Sequence, residues 1–388
     1  MAEILVSTPP IELETSNSDF LGGGKLEDGI GLCLSGGGFR ALLFHLGAFV
    51  RLNELGLLPR LDRIASVSGG SIAAGALAVA WKNLNFDSDG VATNLHELVA
   101  TPLLTLAQRN VDTYAIIRGM LPFSNAANLA GTIYDRFLFR GSTLQDLPNH
   151  PRFSFTATSL QSGALWRFAK DYAADWRVGR WDNPSLSVAM AVGASAAFPP
   201  YLSPAYVELP IDARIETSGA DLLDRSFSRT LCLTDGGIYD NLGLEPVWKR
   251  YRTIFVSDGG AVTPGVSSPK TNWLSQAMRA ADIALQQGIN MRRRTLRGLH
   301  QSGARNVVYW GICEGVDTYK AGNPLEFAKS ETDAAAAIPT RLTRYPELTQ
   351  NRIVRAGYAH ADAAFRASTL TGLLSHDADF QALPVVPT

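Results

Sequence analysis

The chain has 388 residues, 46% of them hydrophobic and 18% charged, with a formal net charge of −1. That composition can fill a large apolar core and excludes the disordered class, and the lack of a global basic field speaks against a nucleic-acid partner. No Pro/Ser/Gly-rich linker, charge run or repeat divides the chain, so one large domain with insertions is expected.

The first residues carry acids at Glu3, Glu12 and Glu14 and lack both a basic start and a long apolar stretch, so neither a signal nor a transit peptide is expected. Nowhere do 18 apolar residues run together, and any membrane contact is therefore expected to be peripheral. Cys33, Cys232 and Cys313 lie far apart in apolar runs. They suggest neither a disulfide framework nor a zinc site, and a reducing cytoplasm fits them.

A strand is predicted at Ile30–Leu34, then a turn at Ser35-Gly36-Gly37-Gly38, then an apolar helix from Phe39 to about Leu55, ended by Gly56 and Pro59. A second strand, Ile64–Val67, leads into Ser68-Gly69-Gly70 and an alanine-rich helix from Ser71 to about Trp81. Parallel pairing with a right-handed crossover is the expected geometry. Residues 83–150 read as a helical insertion with exposed apolar residues such as Tyr114, Ile116, Ile117, Met120, Leu121 and Phe123. A hairpin follows, with Phe153, Phe155 and Ala157 on one arm, Leu165, Trp166 and Phe168 on the other, and Gln161-Ser162-Gly163 between them. A small-residue helix is predicted from Pro184 to about Ala197, stopped by Pro199-Pro200. Strands at Leu231–Thr234 and Thr253–Val256 each end in Asp-Gly-Gly. A long amphipathic helix (Trp273 to about Arg297), a strand (Val307–Ile312) and a helix (about Asn351–Arg366) complete an α/β sheet with helices on both faces.

In an open parallel sheet, sites gather at the carboxyl ends of the strands, and three glycine-rich turns bearing reactive groups fall at that edge here. Ser68 follows a strand and precedes two glycines and a helix, the strand-turn-helix context of a nucleophile elbow, although Ser66 stands where that motif carries glycine. The alternative for Ser68 is a helix N-cap. Gly36, Gly37 and Gly38 offer unobstructed N–H groups at a helix N-terminus, as an oxyanion hole requires, or they form a bare tight turn. Arg40 adds a cation beside them, or is an exposed helix arginine. Asp235 ends an apolar strand before Gly236-Gly237 and is either a base or a turn-capping carboxylate. Coincidence of all three turns at one edge favours the catalytic reading.

The series Ser35-Gly36-Gly37-Gly38-Phe39-Arg40, Val67-Ser68-Gly69-Gly70-Ser71 and Asp235-Gly236-Gly237 resembles the patatin-like phospholipases. Leu147-Pro148 and Ala194-Ser195-Ala196-Ala197-Phe198-Pro199-Pro200 extend the likeness over roughly residues 28 to 260, with weak similarity beyond. The resemblance implies a three-layer α/β/α patatin-like fold with a central, mostly parallel sheet and helical insertions. It implies a phospholipase A or lysophospholipase-like acyl hydrolase with a Ser68/Asp235 dyad, an oxyanion hole from Gly36, Gly37 and Gly38 with Arg40 as the basic residue of that motif, and neither metal nor cofactor. The implied partner is a phospholipid or other acyl lipid at a membrane surface, in the cytoplasm, with an activator or a homo-oligomer as further partners of the kind such proteins use. By this reading residues 1–28 are an N-terminal extension, 29–370 a single catalytic domain in which 83–150 forms either a lid or a cover for the sheet, and 371–388 a tail.

Three rival readings remain. Gly36-x-Gly38-x-x-Ala41 fits a dinucleotide-binding fingerprint, but the second strand ends in Ser68 rather than a ribose-binding acid. An α/β-hydrolase triad would draw its histidine from His300, His360 or His376, of which only His376 is well placed. A lipid-binding scaffold with a dead site is opposed by the intact Ser68, Asp235 and glycine loop. His45 reads as a packed core histidine, while His96 and His150 have no ligand spacing. Arg292-Arg293-Arg294 with Arg297 is either a headgroup-docking cluster or a solvated helix face.

Overall fold

The computed structural model describes residues 26–119 and 125–370. Residues 1–25, Met120, Leu121, Phe123 and everything from 371 onward, His376 included, lie outside the described residues, as do the side chains of Ile116 and Ile117.

The chain begins with β1 (Glu27–Leu34), α1 (Gly38–Glu54), β2 (Arg63–Val67) and α2 (Gly69–Ala80). Three short helices follow, α3 (Thr101–Ala107), α4 (Val111–Gly119) and α5 (Ala126–Tyr134). Then come β3 (Arg152–Ser159), β4 (Leu165–Ala169), β5 (Tyr172–Asp175), β6 (Gly179–Asp182), α6 (Val188–Ser195) and β7 (Ala205–Val207). The remainder is β8 (Leu231–Asp235), α7 (Gly237–Asp240), β9 (Tyr251–Asp258), α8 (Trp273–Gln301), β10 (Asn306–Gly311), α9 (Lys329–Ala336) and α10 (Glu347–Ala367).

The ten strands form one sheet, in which β10, β9, β1, β2 and β3 lie side by side and parallel. Beyond β3 the sheet is antiparallel: β4, β5 and β6 form a meander, and β8, flanked by β7, pairs with the far end of β3. β1 is buried on both faces, as a central parallel strand should be. Leu32 and Leu34 join the core beneath α1, α2 and α10, whereas Cys33 joins Val247, Val256 and Leu296 beneath α8 on the opposite face. The result is the three-layer arrangement the resemblance implied.

α1 is buried along nearly its whole length because α10 crosses its outer side. The crossing is made by two glycines: a Cβ on Gly47 would sit 2.0 Å from the Val354 carbonyl oxygen, and one on Gly357 1.9 Å from that of Phe44. The backbones therefore touch where any larger residue would hold them apart.

Residues 83–150 send Leu103, Leu106, Val111, Ala127 and Tyr134 into the main core, while Tyr114 is exposed. α6 starts later than its sequence suggested, at Val188, because the Ser187 hydroxyl accepts from the Met190 N–H and caps it. β5, β6, β7 and α9 lack a clear sequence signal. Among the described residues, no helix is long and apolar enough to cross a membrane.

Candidate active site

Ser68 sits at the join of β2 and α2 with φ 51° and ψ −120°, a left-handed conformation that a residue bearing a Cβ holds at a cost of about 1–3 kcal/mol. It occupies the N-cap position of α2, yet its side chain makes no capping hydrogen bond, so the hydroxyl is not consumed by the helix. The strained turn is held by hydroxyl groups. The Ser68 N–H donates to Ser195 Oγ at 3.0 Å, and Ser71 Oγ lies 2.8 Å from Ser195 Oγ and donates to Ser66 Oγ at 3.0 Å. Ser66, where the elbow motif carries glycine, is thus buried and bonded within this serine cluster. Ser195 had no assigned role in the sequence; the small-residue run around it, 194–197, was its only signal.

The glycine loop lies against the same turn. A Cβ on Gly36 would approach Ser68 Cβ to 3.2 Å, and one on Gly69 would strike the Gly38 carbonyl oxygen at 2.1 Å. The three glycines are not equivalent. Gly36 N–H donates to the Asn241 carbonyl at 3.0 Å, and Phe39 N–H to that of Arg341 at 2.9 Å. Among the described residues, the N–H groups of Gly37 and Gly38 have no acceptor, and they stand at the positive end of the α1 dipole. Arg40 is buried rather than solvated: Nε donates to the Gly259 carbonyl at 3.2 Å and Nη1 to that of Ile338 at 2.5 Å, while Nη2 has no hydrogen-bond partner among the described residues.

Asp235 reaches this edge from an unexpected direction. Val67 pairs with Thr156 and Asp235 with Ala157, so the carboxylate stands one residue beyond the end of the serine strand. However, β8 runs antiparallel to β3 and descends into the edge, instead of rising to it as the parallel-sheet argument supposed. Asp235 Oδ1 accepts from Gly237 N–H at 2.7 Å. Oδ2 is buried and, among the described residues, has no well-formed hydrogen bond. Burial pushes the carboxyl up to about 6, against smaller downward pulls from the Gly237 N–H and the Ser68 hydroxyl. The hydroxyl is thus near enough to act on the carboxyl without closing an aligned bond, an arrangement common in sites that tighten on substrate.

The second acid-glycine turn is engaged elsewhere. Asp258 Oδ2 accepts from Arg293 Nε at 3.0 Å and Tyr309 Oη at 2.8 Å, and Oδ1 accepts from Gly260 N–H at 3.0 Å. Arg292 pairs with Asp240 at 3.1 Å and Glu245 at 3.7 Å. Two members of the basic cluster therefore hold α8 to the sheet edge, and Arg294 and Arg297 are exposed.

The two buried histidines, His45 and His360, are engaged elsewhere. Both ring nitrogens of His45 are bonded, to Ser257 Oγ at 2.8 Å and the Ser35 carbonyl at 2.9 Å, and burial lowers its pKa to about 4. His360 lies in α10 against Tyr319 and Thr332, also lowered by burial to about 4. His300 accepts weakly from Val307 N–H near the amino end of β10, away from the serine edge. His96 and His150 are exposed. Among the described residues, no group of three or more His, Cys, Asp or Glu is arranged to hold a metal.

Comparison with known proteins matches a family model described as patatin-like phospholipase to residues 32–248. No curated protein matches significantly. Among solved structures, VipD from Legionella pneumophila is 15% identical, with 89% of this chain and 68% of that one covered and a TM-score of 0.38. Human GIVD cytosolic phospholipase A2, in complex with methyl gamma-linolenyl fluorophosphonate, is 13% identical with a TM-score of 0.49; 92% of this chain and 62% of the human chain are covered. Full-length ExoU from Pseudomonas aeruginosa with SpcU is 15% identical over 88% of this chain and 73% of that one, with a TM-score of 0.25. The family model takes in the glycine loop, the Ser68 turn and the Asp235 turn and spans more than half of the 388 residues, so the chain belongs to the patatin-like phospholipase family, a family of lipid acyl hydrolases.

Proposed function

We propose that the chain cleaves fatty-acyl esters of membrane phospholipids, as a phospholipase A or lysophospholipase, with Ser68 as nucleophile and Asp235 as its base. The observation that carries this reading is the pairing of a strained serine whose hydroxyl caps nothing with a buried carboxylate oxygen that has no other partner. Ser68 Oγ attacks the acyl carbonyl carbon while its proton passes to Asp235 Oδ2. The charge that develops on the carbonyl oxygen is received by Gly37 and Gly38 N–H at the head of α1. Gly36 instead leaves room opposite Ser68, and Arg40 braces the loop from behind through Gly259 and Ile338. Collapse breaks the ester C–O bond, and the alcohol leaves with the proton from Asp235. Water then attacks the acyl-serine, giving its proton to Asp235; collapse breaks the acyl C–Oγ bond, Ser68 Oγ takes that proton back from Asp235, and the fatty acid departs.

A base at about 6 is mostly ionised at neutral pH yet still basic enough to share a proton, so kcat/KM should rise as pH passes through about 6. The reading treats 29–370 as one catalytic body in which 83–150 is a built-in cover, since its apolar residues fill the main core. An active-site fluorophosphonate should label the wild type at Ser68 and leave Ser68→Ala unlabelled, and a lipid panel read by mass spectrometry should show fatty acid released by the wild type alone. Labelling that persists in the variant at Ser66, Ser71 or Ser195 would overturn the assignment. His376→Ala should retain activity; a thousandfold loss in a folded protein would instead favour a triad.

A further inference from the structure

α8 outruns the body it packs on. Leu274, Met278, Leu285, Ile289 and Leu296 share one helical stripe. At its C-terminal end that stripe is covered: Leu296 is buried and Ile289 packs beside it against Val247 and Val256. Toward the N-terminus the cover stops, leaving Leu274 54% and Met278 47% exposed, with Trp273 beside them at 80%. The polar face of this half touches the body instead, through Gln286 and Arg279, which bond Thr263 and Pro264 of the loop that carries the exposed Val262 and Val266.

Register fixes where this overhang stands. Leu34 pairs with both Ser257 and Ser66, so Asp258 is level with the glycine loop and the end of the serine strand. Arg293 grips Asp258 there. The roughly 20 residues of α8 before it, at about 1.5 Å each, reach up to about 30 Å past the edge at which Ser68 lies.

We propose that this overhanging half of α8 docks on an anionic phospholipid bilayer and seats the Ser68 edge against it. The inference rests on the acyl-lipid reading of that edge. A lipid in a bilayer can approach Ser68 only from the strand ends, and a helix standing far past them would hold the site off the bilayer unless it lay in the interface. Its chemistry suits that place. Trp273, Leu274 and Met278 supply an apolar face with tryptophan at the tip, a residue favoured at headgroup depth. α8 carries five arginines and one acid in a chain of net charge −1. Arg292 and Arg293 are held by internal acids and Arg279 donates to the Pro264 carbonyl, but among the described residues Arg294 and Arg297, exposed beside the Arg293 anchor at the level of the Ser68 edge, have no acidic partner and can meet lipid phosphates.

The full chain should co-sediment with vesicles of phosphatidylcholine plus phosphatidylserine, and less with phosphatidylcholine alone. A triple variant, Trp273→Ser, Leu274→Ser and Met278→Ser, should lose about tenfold or more in vesicle partitioning and in hydrolysis of vesicle lipid. It should keep its circular dichroism and its rate on a soluble short-chain ester. Arg294→Glu with Arg297→Glu should weaken binding to the anionic vesicles alone. Variants that bind and cut vesicles like the wild type would overturn the proposal. So would light scattering that shows a wild-type dimer and a monomeric triple variant with unchanged vesicle binding, because the face would then join two copies. Should the wild type bind vesicles yet cleave no ester, soluble or bilayer, the acyl-hydrolase reading falls and the docking surface stands.

Discussion

Asp235-Gly236-Gly237 and Asp258-Gly259-Gly260 are the same tripeptide at the ends of two apolar strands of one sheet, and their carboxylates stand in opposite surroundings. Asp258 is saturated by a guanidinium, a phenol and a backbone N–H. Among the described residues Asp235 accepts from one backbone N–H, its Oδ2 has no hydrogen-bond partner, and the Ser68 hydroxyl is near enough to pull its pKa down. A buried acid that is fully partnered acts as a fastener, whereas one left partly unpartnered suits the base that the proposed function requires. The difference comes from neighbours distant in sequence, Arg293 and Tyr309 for one turn and Ser68 for the other.

The contrast is sharpest in turnover. Asp235→Asn should lower kcat by about 10² to 10⁴ on a lipid ester, the range for removing a general base, while Asp258→Asn stays within a few-fold of wild type. A dead Asp258→Asn beside an active Asp235→Asn would invert the comparison. Stability should move the other way. Asp258→Asn strips the charge from a largely buried pair with Arg293 and should cost about 3 to 4 kcal/mol in denaturant unfolding.

Asp235→Asn should instead stabilise the protein, in a pH-dependent manner. The folded carboxyl titrates at about 6, above its ordinary value of 3.8, so between those values the folded state holds more proton than the unfolded one. Wild-type stability from this group therefore falls as pH rises through that window. The gain on Asp235→Asn should be nil below about pH 4 and reach up to about 2 to 3 kcal/mol above pH 6, and a gain independent of pH would contradict the assigned titration. The smallest effect is expected at Ser195, whose hydroxyl receives the Ser68 N–H. Ser195→Ala should lower kcat about tenfold with little change in KM, and Ser195→Thr should restore most of it, whereas a purely structural role would lower the unfolding midpoint and leave the kinetic constants together.

Local chemistry was readable in the residues; long-range pairing was not. β1, α1, β2 and α2 announce themselves through apolar runs punctuated by glycine, and their ends came out within a few residues of the reading. The proximity of Gly36 to Ser68 follows from that unit. By contrast, the antiparallel descent of β8 depends on β3 continuing past the end of β2, which no local pattern states. Gly36 could not be told from Gly37 and Gly38 as a donor, because its acceptor is the carbonyl of Asn241. The sequence leaves the arginine cluster open between lipid contact and solvated face, because Arg292 and Arg293 belong to internal acids that only the folded chain brings to them.

The glycine crossing of α1 and α10 reaches into how the enzyme comes into being. The helix whose head carries the glycine loop ends at Glu54, yet its cover, Gly357 and its neighbours, follows about 300 residues later. The Ile338 and Arg341 carbonyls that receive Arg40 and Phe39 also belong to the late part of the chain. During synthesis, therefore, α1 keeps an uncovered apolar flank until some 300 further residues have been added, and the edge that bears Ser68 gains this support only then. A chain stalled after the family-matched region would hold Ser68 and Asp235 in its sequence and still lack the brace behind the glycine loop.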